Sequence, residues 1–145
     1  MTLLQAAYSH NGLGSNWDNK GHDGAFRGVI ASNKIAGPIL ITHSVHDSAV
    51  GLAYPLASRI LNQTASAIGD SNDPYGGMGR NGAQHTPESF QDVLQAVGSK
   101  YTSPPSGKTI RNLNGDGPPA GICITSHHDV AKPEIAAAWL QAICG

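Results

Sequence analysis

The stretch GPILIT at residues 37–42 decides the fold class of this 145-residue chain. Four consecutive residues, Ile39 to Thr42, are apolar or β-branched, and a Gly-Pro pair opens the run. A short apolar run without polar alternation indicates a strand that is covered on both faces. Strands of that kind belong to parallel sheets with helices on both sides. We therefore predict a buried strand over Pro38–Thr42 and an α/β fold.

The segments before and after this strand fit the same plan. Leu3–Ala7 is a short apolar run, and Phe26–Ile30 is a second short apolar element. The broad apolar face of Ala49–Leu61 predicts a helix, which Pro55 is expected to kink or to end early.

The second half of the chain continues the alternation of strands and helices. A long polar loop covers Asn62–His85. The following residues, Thr-Pro-Glu at 86–88, have the N-cap and N1 residue types of a helix start. Short strands are predicted over Thr109–Leu113 and Ala120–Thr125, and an amphipathic helix over Pro133–Cys144. This order predicts a partial open parallel sheet with flanking helices, in one domain over residues 1–145.

Composition and charge exclude several classes of partner. The net charge is −1 with acidic and basic residues well mixed, so no nucleic-acid surface is expected. No apolar run approaches the roughly 20 residues of a membrane helix. The first eight residues lack the basic and long apolar parts of a signal peptide, so we expect a cytoplasmic protein. Residues 77–82 match G-x-G-x-x-G, but no strand precedes them, and no cofactor is expected.

Two stretches repeat one pattern at the ends of two predicted strands. ILITHSVHD at residues 39–47 and ICITSHHD at residues 122–129 each place Thr at the end of an apolar run, followed by His and Asp. The carboxyl ends of parallel strands face one edge of the sheet, where ligands and catalytic groups gather. The sequence therefore predicts that imidazoles and carboxylates from both stretches meet at one rim.

An imidazole beside a carboxylate can do acid–base chemistry near neutral pH. Each residue taken singly has a simpler interpretation as a loop residue that caps the following helix, since Asp47 precedes a helix and Asp129 fits a turn before Pro133. A metal site is a further alternative, since imidazole and carboxylate are also zinc ligands. Its candidate ligands are His43, His46, Asp47, His127, His128 and Asp129.

The order of these elements resembles the C-terminal part of an α/β-hydrolase domain. Residues 51–59 and 76–82 are similar to an uncharacterised bacterial branch of that superfamily. The resemblance implies that Leu3–Ala7 is the strand after the nucleophile unit. It also implies that Pro38–Thr42 precedes the catalytic acid, Ala120–Thr125 precedes the catalytic histidine, and Pro133–Cys144 is the closing helix.

The same resemblance implies roles for two residues. Asp47 matches the catalytic acid of the family, and His127 matches the catalytic histidine, with His128 as the rival for that role. The nucleophile motif G-x-S-x-G does not occur in the chain. We therefore expect an esterase-like site that carries the acid and the histidine in a domain lacking its nucleophile-bearing half.

A non-catalytic assembly module on the same truncated fold is the alternative function. Without preceding strands, Leu3–Ala7 would form an exposed edge of the sheet, and such edges invite pairing with another chain. The sequence therefore predicts a homo-oligomer, or a partner chain that supplies the missing N-terminal half.

Overall fold

A parallel sheet forms the centre of the protein. The computed structural model describes residues 1–55, 71–117, 121 and 123–144. Within these residues the sheet comprises β1 (Thr2–Leu4), β2 (Ile39–His43), β3 (Ser89–Val93) and β4 (Ile110–Asn114). Their order across the sheet is β1-β2-β4-β3, and every neighbouring pair is parallel. The prediction of a parallel α/β sheet with flanking helices is confirmed.

Strand β2 is buried over its whole length, as its continuous apolar sequence predicts. Alternate side chains of a strand point to opposite faces, so Ile39 and Ile41 enter one apolar cluster and Leu40 enters another. The first cluster also contains Leu13, Met78, Ala83 and Ile110. The second contains Leu94, Leu113, Cys123, Ile124, Ile135 and Ala138. Both faces of the sheet are therefore covered.

Strand β4 confirms the strand predicted over Thr109–Leu113, although its central residues are polar. Asn112 is buried, and its side-chain amide donates to the carbonyl of Ala83 at 3.1 Å and accepts from the amide of that residue at 2.9 Å. Arg111 is also buried and pairs with Asp92. Buried polar groups are tolerated when they are bonded, which explains how a polar strand occupies the middle of the sheet.

Helical segments flank the sheet on both faces. They are α1 (Arg27–Ala31), a π-helical turn (Ala49–Ala53), α2 (Met78–Asn81), a 3₁₀ turn (Asp129–Ala131) and α3 (Pro133–Cys144). The terminal helix over Pro133–Cys144 is confirmed, and the element at Phe26–Ile30 is helical. Residues 56–61 of the predicted helix Ala49–Leu61, and residues 62–70 of the predicted loop, lie outside the described residues. No helix among the described residues is long and apolar enough to cross a membrane.

The helix predicted to start at residues 86–88 is wrong, because strand β3 occupies this position. Thr86 does not cap a helix, and its hydroxyl donates to the carbonyl of Gln84 at 2.9 Å. The carbonyl of Glu88 instead accepts the amides of Thr109 and Ile110 at 3.0 and 3.1 Å, which begins the pairing with β4. Pairing with a distant strand therefore overrides the local helix signal, because strand preferences often depend on tertiary context.

The side-chain pattern of β3 also has the period of a strand. Phe90 and Asp92 are two residues apart and both contact Arg111 of β4. The guanidinium lies 4.8 Å from the centre of the Phe90 ring. Residues 90, 93, 94 and 97 are apolar at helical spacing, yet Val97 is 60% exposed and Leu94 alone of the four is fully buried.

The strand predicted over Ala120–Thr125 is not supported by its described residues. Residues 123–125 lie outside the sheet, and 120 and 122 are not among the described residues. The amides of Cys123 and Ile124 both donate to the carbonyl of Gly115, just beyond the end of β4. Their apolar side chains reach the core beneath α3 without strand pairing. Among the strands of the described residues, β4 is the last one before His127 in the chain.

Strand β1 covers Thr2–Leu4 and therefore overlaps the predicted apolar run Leu3–Ala7 only at Leu3 and Leu4. It pairs with β2 on one side and is an edge of the described sheet. Its residues are half-buried or exposed. The expected homo-oligomer or partner chain stays a prediction.

Candidate active site

The carboxyl ends of three neighbouring strands bring polar side chains together. We call the segments that follow these ends the rim of the sheet: Gln5 after β1, residues 44–47 after β2, and residues 115–116 after β4. Residues 123–129 return to this rim, where the carbonyl oxygen of Ile124 lies 2.8 Å from the hydroxyl oxygen of Ser44.

Asp47 is held at the rim by the turn that follows β2. Its backbone amide donates to the carbonyl of Ser44 at 3.1 Å. Its Oδ1 atom accepts the amide of Val50 at 2.9 Å, which caps the π-helical turn. The side chain is completely buried. The capping interpretation of Asp47 therefore accounts for one carboxylate oxygen and leaves the other for a second partner.

The second partner of Asp47 is His127. The Nδ1 atom of His127 lies 3.0 Å from Oδ2 of Asp47, although 80 residues separate them in the chain. An ionised carboxylate only accepts hydrogen bonds, so in a neutral imidazole this contact places the ring hydrogen on Nδ1 and the lone pair on Nε2. The imidazole is 34% exposed, in contrast to the buried carboxylate. The pair thus joins a buried acceptor to a base that solvent can reach.

Asp116 supports the turn that carries Asp47. Its carboxylate accepts the hydroxyl of Ser44 at 2.5 Å and the amide of Val45 at 3.1 Å. The amide of Asp116 donates to Asn114 at 2.8 Å, so the carboxylate is fixed to the end of β4. Hydrogen bonds of this kind orient the groups that touch a reacting atom. Asp116 therefore ties the ends of β2 and β4 together beside the Asp47–His127 pair.

The segment that carries His127 is anchored on both sides of the ring. Asp129 accepts the amide and the hydroxyl of Thr125 at 2.8 and 2.6 Å. These two bonds hold the pKa of Asp129 below its usual range. On the near side, the side-chain amide of Gln5 donates to the carbonyl of Ser126 at 2.5 Å. Asp129 thus closes a turn back onto Thr125, and these bonds do not cap the helix that follows.

The remaining predicted residues do not join the pair. His128 is exposed, and the centre of its ring lies 6.0 Å from that of His127. His46 is also exposed, whereas His43 is buried in β2, where desolvation lowers its pKa. Of the two rival histidines, His127 is the one that contacts Asp47.

The metal alternative lacks a ligand set in the described part of the chain. No group of three or more His, Cys, Asp and Glu side chains there could hold a metal ion. The carboxylates of Asp47 and Asp129 have different partners, namely His127 and Thr125. Asp47 and Asp129 therefore belong to separate hydrogen-bonding groups.

The glycine-rich motif at residues 77–82 packs against the rim as helix α2. The amide of Gly79 donates to the carbonyl of Ala6 at 2.9 Å, and its carbonyl accepts the amide of Ser44 at 3.0 Å. The Arg80 guanidinium donates to the carbonyl of Val45. The four-residue helix thus joins the ends of β1 and β2. The backbones approach so closely at Gly79 that this position requires glycine.

Three residues of the rim were missed by the sequence interpretation: Gln5, Ser44 and Asp116. Asp116 belongs to an Asn-Gly-Asp-Gly stretch directly after β4, and that turn signal could have pointed to it. Ser44 lies inside the repeated pattern at residues 39–47. Gln5 has no signal in the sequence, because its position depends on a left-handed backbone, φ +43°, at the end of β1.

Comparisons with protein-family models, curated proteins and solved structures gave no match.

Proposed function

We propose that the protein is an α/β-hydrolase-like domain in which Asp47 and His127 activate a hydroxyl for attack on an acyl carbon. The observation that carries this proposal is the 3.0 Å contact between Oδ2 of Asp47 and Nδ1 of His127. A buried carboxylate fixes the tautomer of the imidazole and stabilises the imidazolium that forms during the reaction. The position of the pair at the carboxyl ends of parallel strands also supports an active site.

The chemistry requires the free nitrogen of His127. As a hydroxyl attacks the acyl carbon, Nε2 takes its proton, and the imidazolium then returns a proton to the departing alkoxide. Positioned proton transfer of this kind contributes about 10²–10⁴ to a rate. Among the described residues, no side chain hydrogen-bonds to Nε2 of His127. That atom is therefore left to accept a proton from the nucleophile.

The nucleophile in this proposal is either a serine hydroxyl or water. The esterase-like resemblance favours serine, and a partner chain would supply it if the sequence-based expectation of a missing half holds. A fluorophosphonate probe distinguishes the two, since it forms a stable bond with an activated serine. Both cases give the same roles to Asp47 and His127.

The tautomer of His127 tests the proposed roles without relying on activity. In ¹H–¹⁵N spectra of the ring nitrogens, recorded where the imidazole is neutral, we expect the Nδ1–H form to dominate. An imidazole free in water favours the Nε2–H form, so Asp47→Ala should return His127 to that form. A spectrum in which His127 has the same tautomer in the wild type and in Asp47→Ala would contradict the proposal.

Asp18→Ala provides a matched control for this measurement. Asp18 contacts Nδ1 of His22 at 2.6 Å through its Oδ2 atom, in an exposed loop. The contact has the same atoms as the Asp47–His127 pair. Asp18→Ala should therefore change the ring signals of His22 and leave those of His127 as in the wild type.

A further inference from the structure

Gln5 connects the end of β1 to the segment that carries His127. We propose that Gln5 is a positioning residue of the rim, which sets the direction of the His127 imidazole through the carbonyl of Ser126. The expected effect of Gln5 on the reaction rate rests on the hydrolase function proposed above. The structural part of the proposal concerns the orientation of the ring and can be tested separately.

The contacts of Gln5 link three parts of the rim. Its backbone amide donates to the hydroxyl of Thr42 in β2 at 3.0 Å. Its side-chain amide donates to the carbonyl of Ser126 at 2.5 Å, across 121 positions of the chain. The residue is only 1% exposed. Gln5 therefore fixes the residue before His127 to the ends of two strands.

The backbone of Gln5 is held in an unfavourable conformation. Its φ of +43° lies in the left-handed region, which glutamine rarely adopts. Such conformations persist where the surroundings determine them, and they occur most often at functional sites. The surroundings here include Gly79, where a Cβ atom would lie 2.5 Å from the carbonyl carbon of Gln5. Helix α2 thus packs directly against this backbone.

The hydrogen bonds of Gln5 favour a positioning role over a general structural one. The carbonyl of Ser126 also accepts the amide of Asp129 at 3.2 Å, so it keeps a partner when the Gln5 side chain is changed. The Oε1 atom of Gln5 accepts no hydrogen bond from the described residues. Loss of the Gln5 side-chain amide therefore leaves the carbonyl of Ser126 paired with Asp129. It removes the bond that ties Ser126, the residue before His127, to the end of β1. Asp129 still holds that segment from the far side through its bonds to Thr125.

The test compares Gln5→Leu and Gln5→Asn with the wild type. Leucine removes the donor at similar size, and asparagine tolerates a left-handed backbone but is too short to reach Ser126. We expect both variants to mix the two tautomers of His127 in the ring ¹H–¹⁵N spectrum. The rate of p-nitrophenyl acetate hydrolysis should fall about tenfold to hundredfold, because small misplacements of a catalytic group have effects of that size.

Gln141→Leu is the matched control. The side-chain amide of Gln141 also donates to a backbone carbonyl, that of Ser99, on the α3 side of the molecule. This variant should keep the wild-type ring signals and rate. If Gln5→Leu and Gln5→Asn keep the ring signals of His127 as in the wild type, the positioning role is wrong. If His127→Ala leaves the rate unchanged, the hydrolase function fails instead, and the ring spectra still decide the role of Gln5.

Discussion

His127→Ala is expected to reduce the hydrolysis of p-nitrophenyl acetate by at least about a hundredfold. The physical reason is the loss of the base whose Nδ1 atom is held 3.0 Å from the buried Asp47 carboxylate. The measurement is the initial rate of p-nitrophenolate release at equal concentrations of folded protein. Circular dichroism before each assay confirms that the variant is folded.

His128→Ala is the control that this experiment requires. A free imidazole itself hydrolyses p-nitrophenyl acetate slowly, so any exposed histidine contributes some rate. His128 is exposed and adjacent in the chain. Its replacement should leave the rate within about a factor of two of the wild type, an effect too small to indicate a role in proton transfer. Equal losses in the two variants would mean that the activity comes from exposed imidazoles, contrary to the proposed function.

Gly79→Ala is expected to destabilise the protein by about 1–3 kcal/mol, or to prevent folding. A Cβ atom at this position would lie 2.5 Å from the carbonyl carbon of Gln5 and 2.7 Å from its oxygen. These are backbone atoms of β1's end, which cannot turn away as a side chain can. Helix α2 must therefore move away from the rim, against the bonds of Gly79 to Ala6 and Ser44.

Gly28→Ala separates this clash from the general effect of adding a methyl group. Gly28 lies in α1, and no atom is found within 4 Å of its added Cβ. Alanine is the better helix former, so this variant should gain about 0.5–1 kcal/mol. The measurement is the free energy of unfolding from urea titration. Similar values for the two variants would show that the close approach of α2 to Gln5 does not matter for stability.

Local sequence pattern was sufficient where an element depends on its own residues. The continuous apolar run of β2 identified a buried parallel strand, and the Pro-Glu start with an apolar face identified α3. The prediction was wrong at β3, since a helix-start signal precedes the strand while its pairing partners lie 21 positions further along the chain. Contacts with β4, such as the Arg111–Asp92 pair, decide that these residues form a strand and not a helix. The local sequence pattern does not contain those contacts.

Only part of the candidate site could be predicted from the sequence. Asp47 and His127 were identified because both follow apolar runs, and the structure places them 3.0 Å apart. The run before His127 is nevertheless not a strand among its described residues, and it reaches the rim through bonds to Gly115. Gln5 could not be identified, because its contact with Ser126 depends on how α2, β1 and β2 pack together.

The most direct test of the proposed Asp47–His127 pair is a double-mutant cycle on ester hydrolysis. It uses the wild type, Asp47→Ala, His127→Ala and the double variant. Residues that act as a unit have non-additive effects, because Asp47 works only through the imidazole that it holds. We expect Asp47→Ala to lower the rate in the wild type and to have no further effect once His127 is alanine. Losses that multiply in the double variant would contradict the pair.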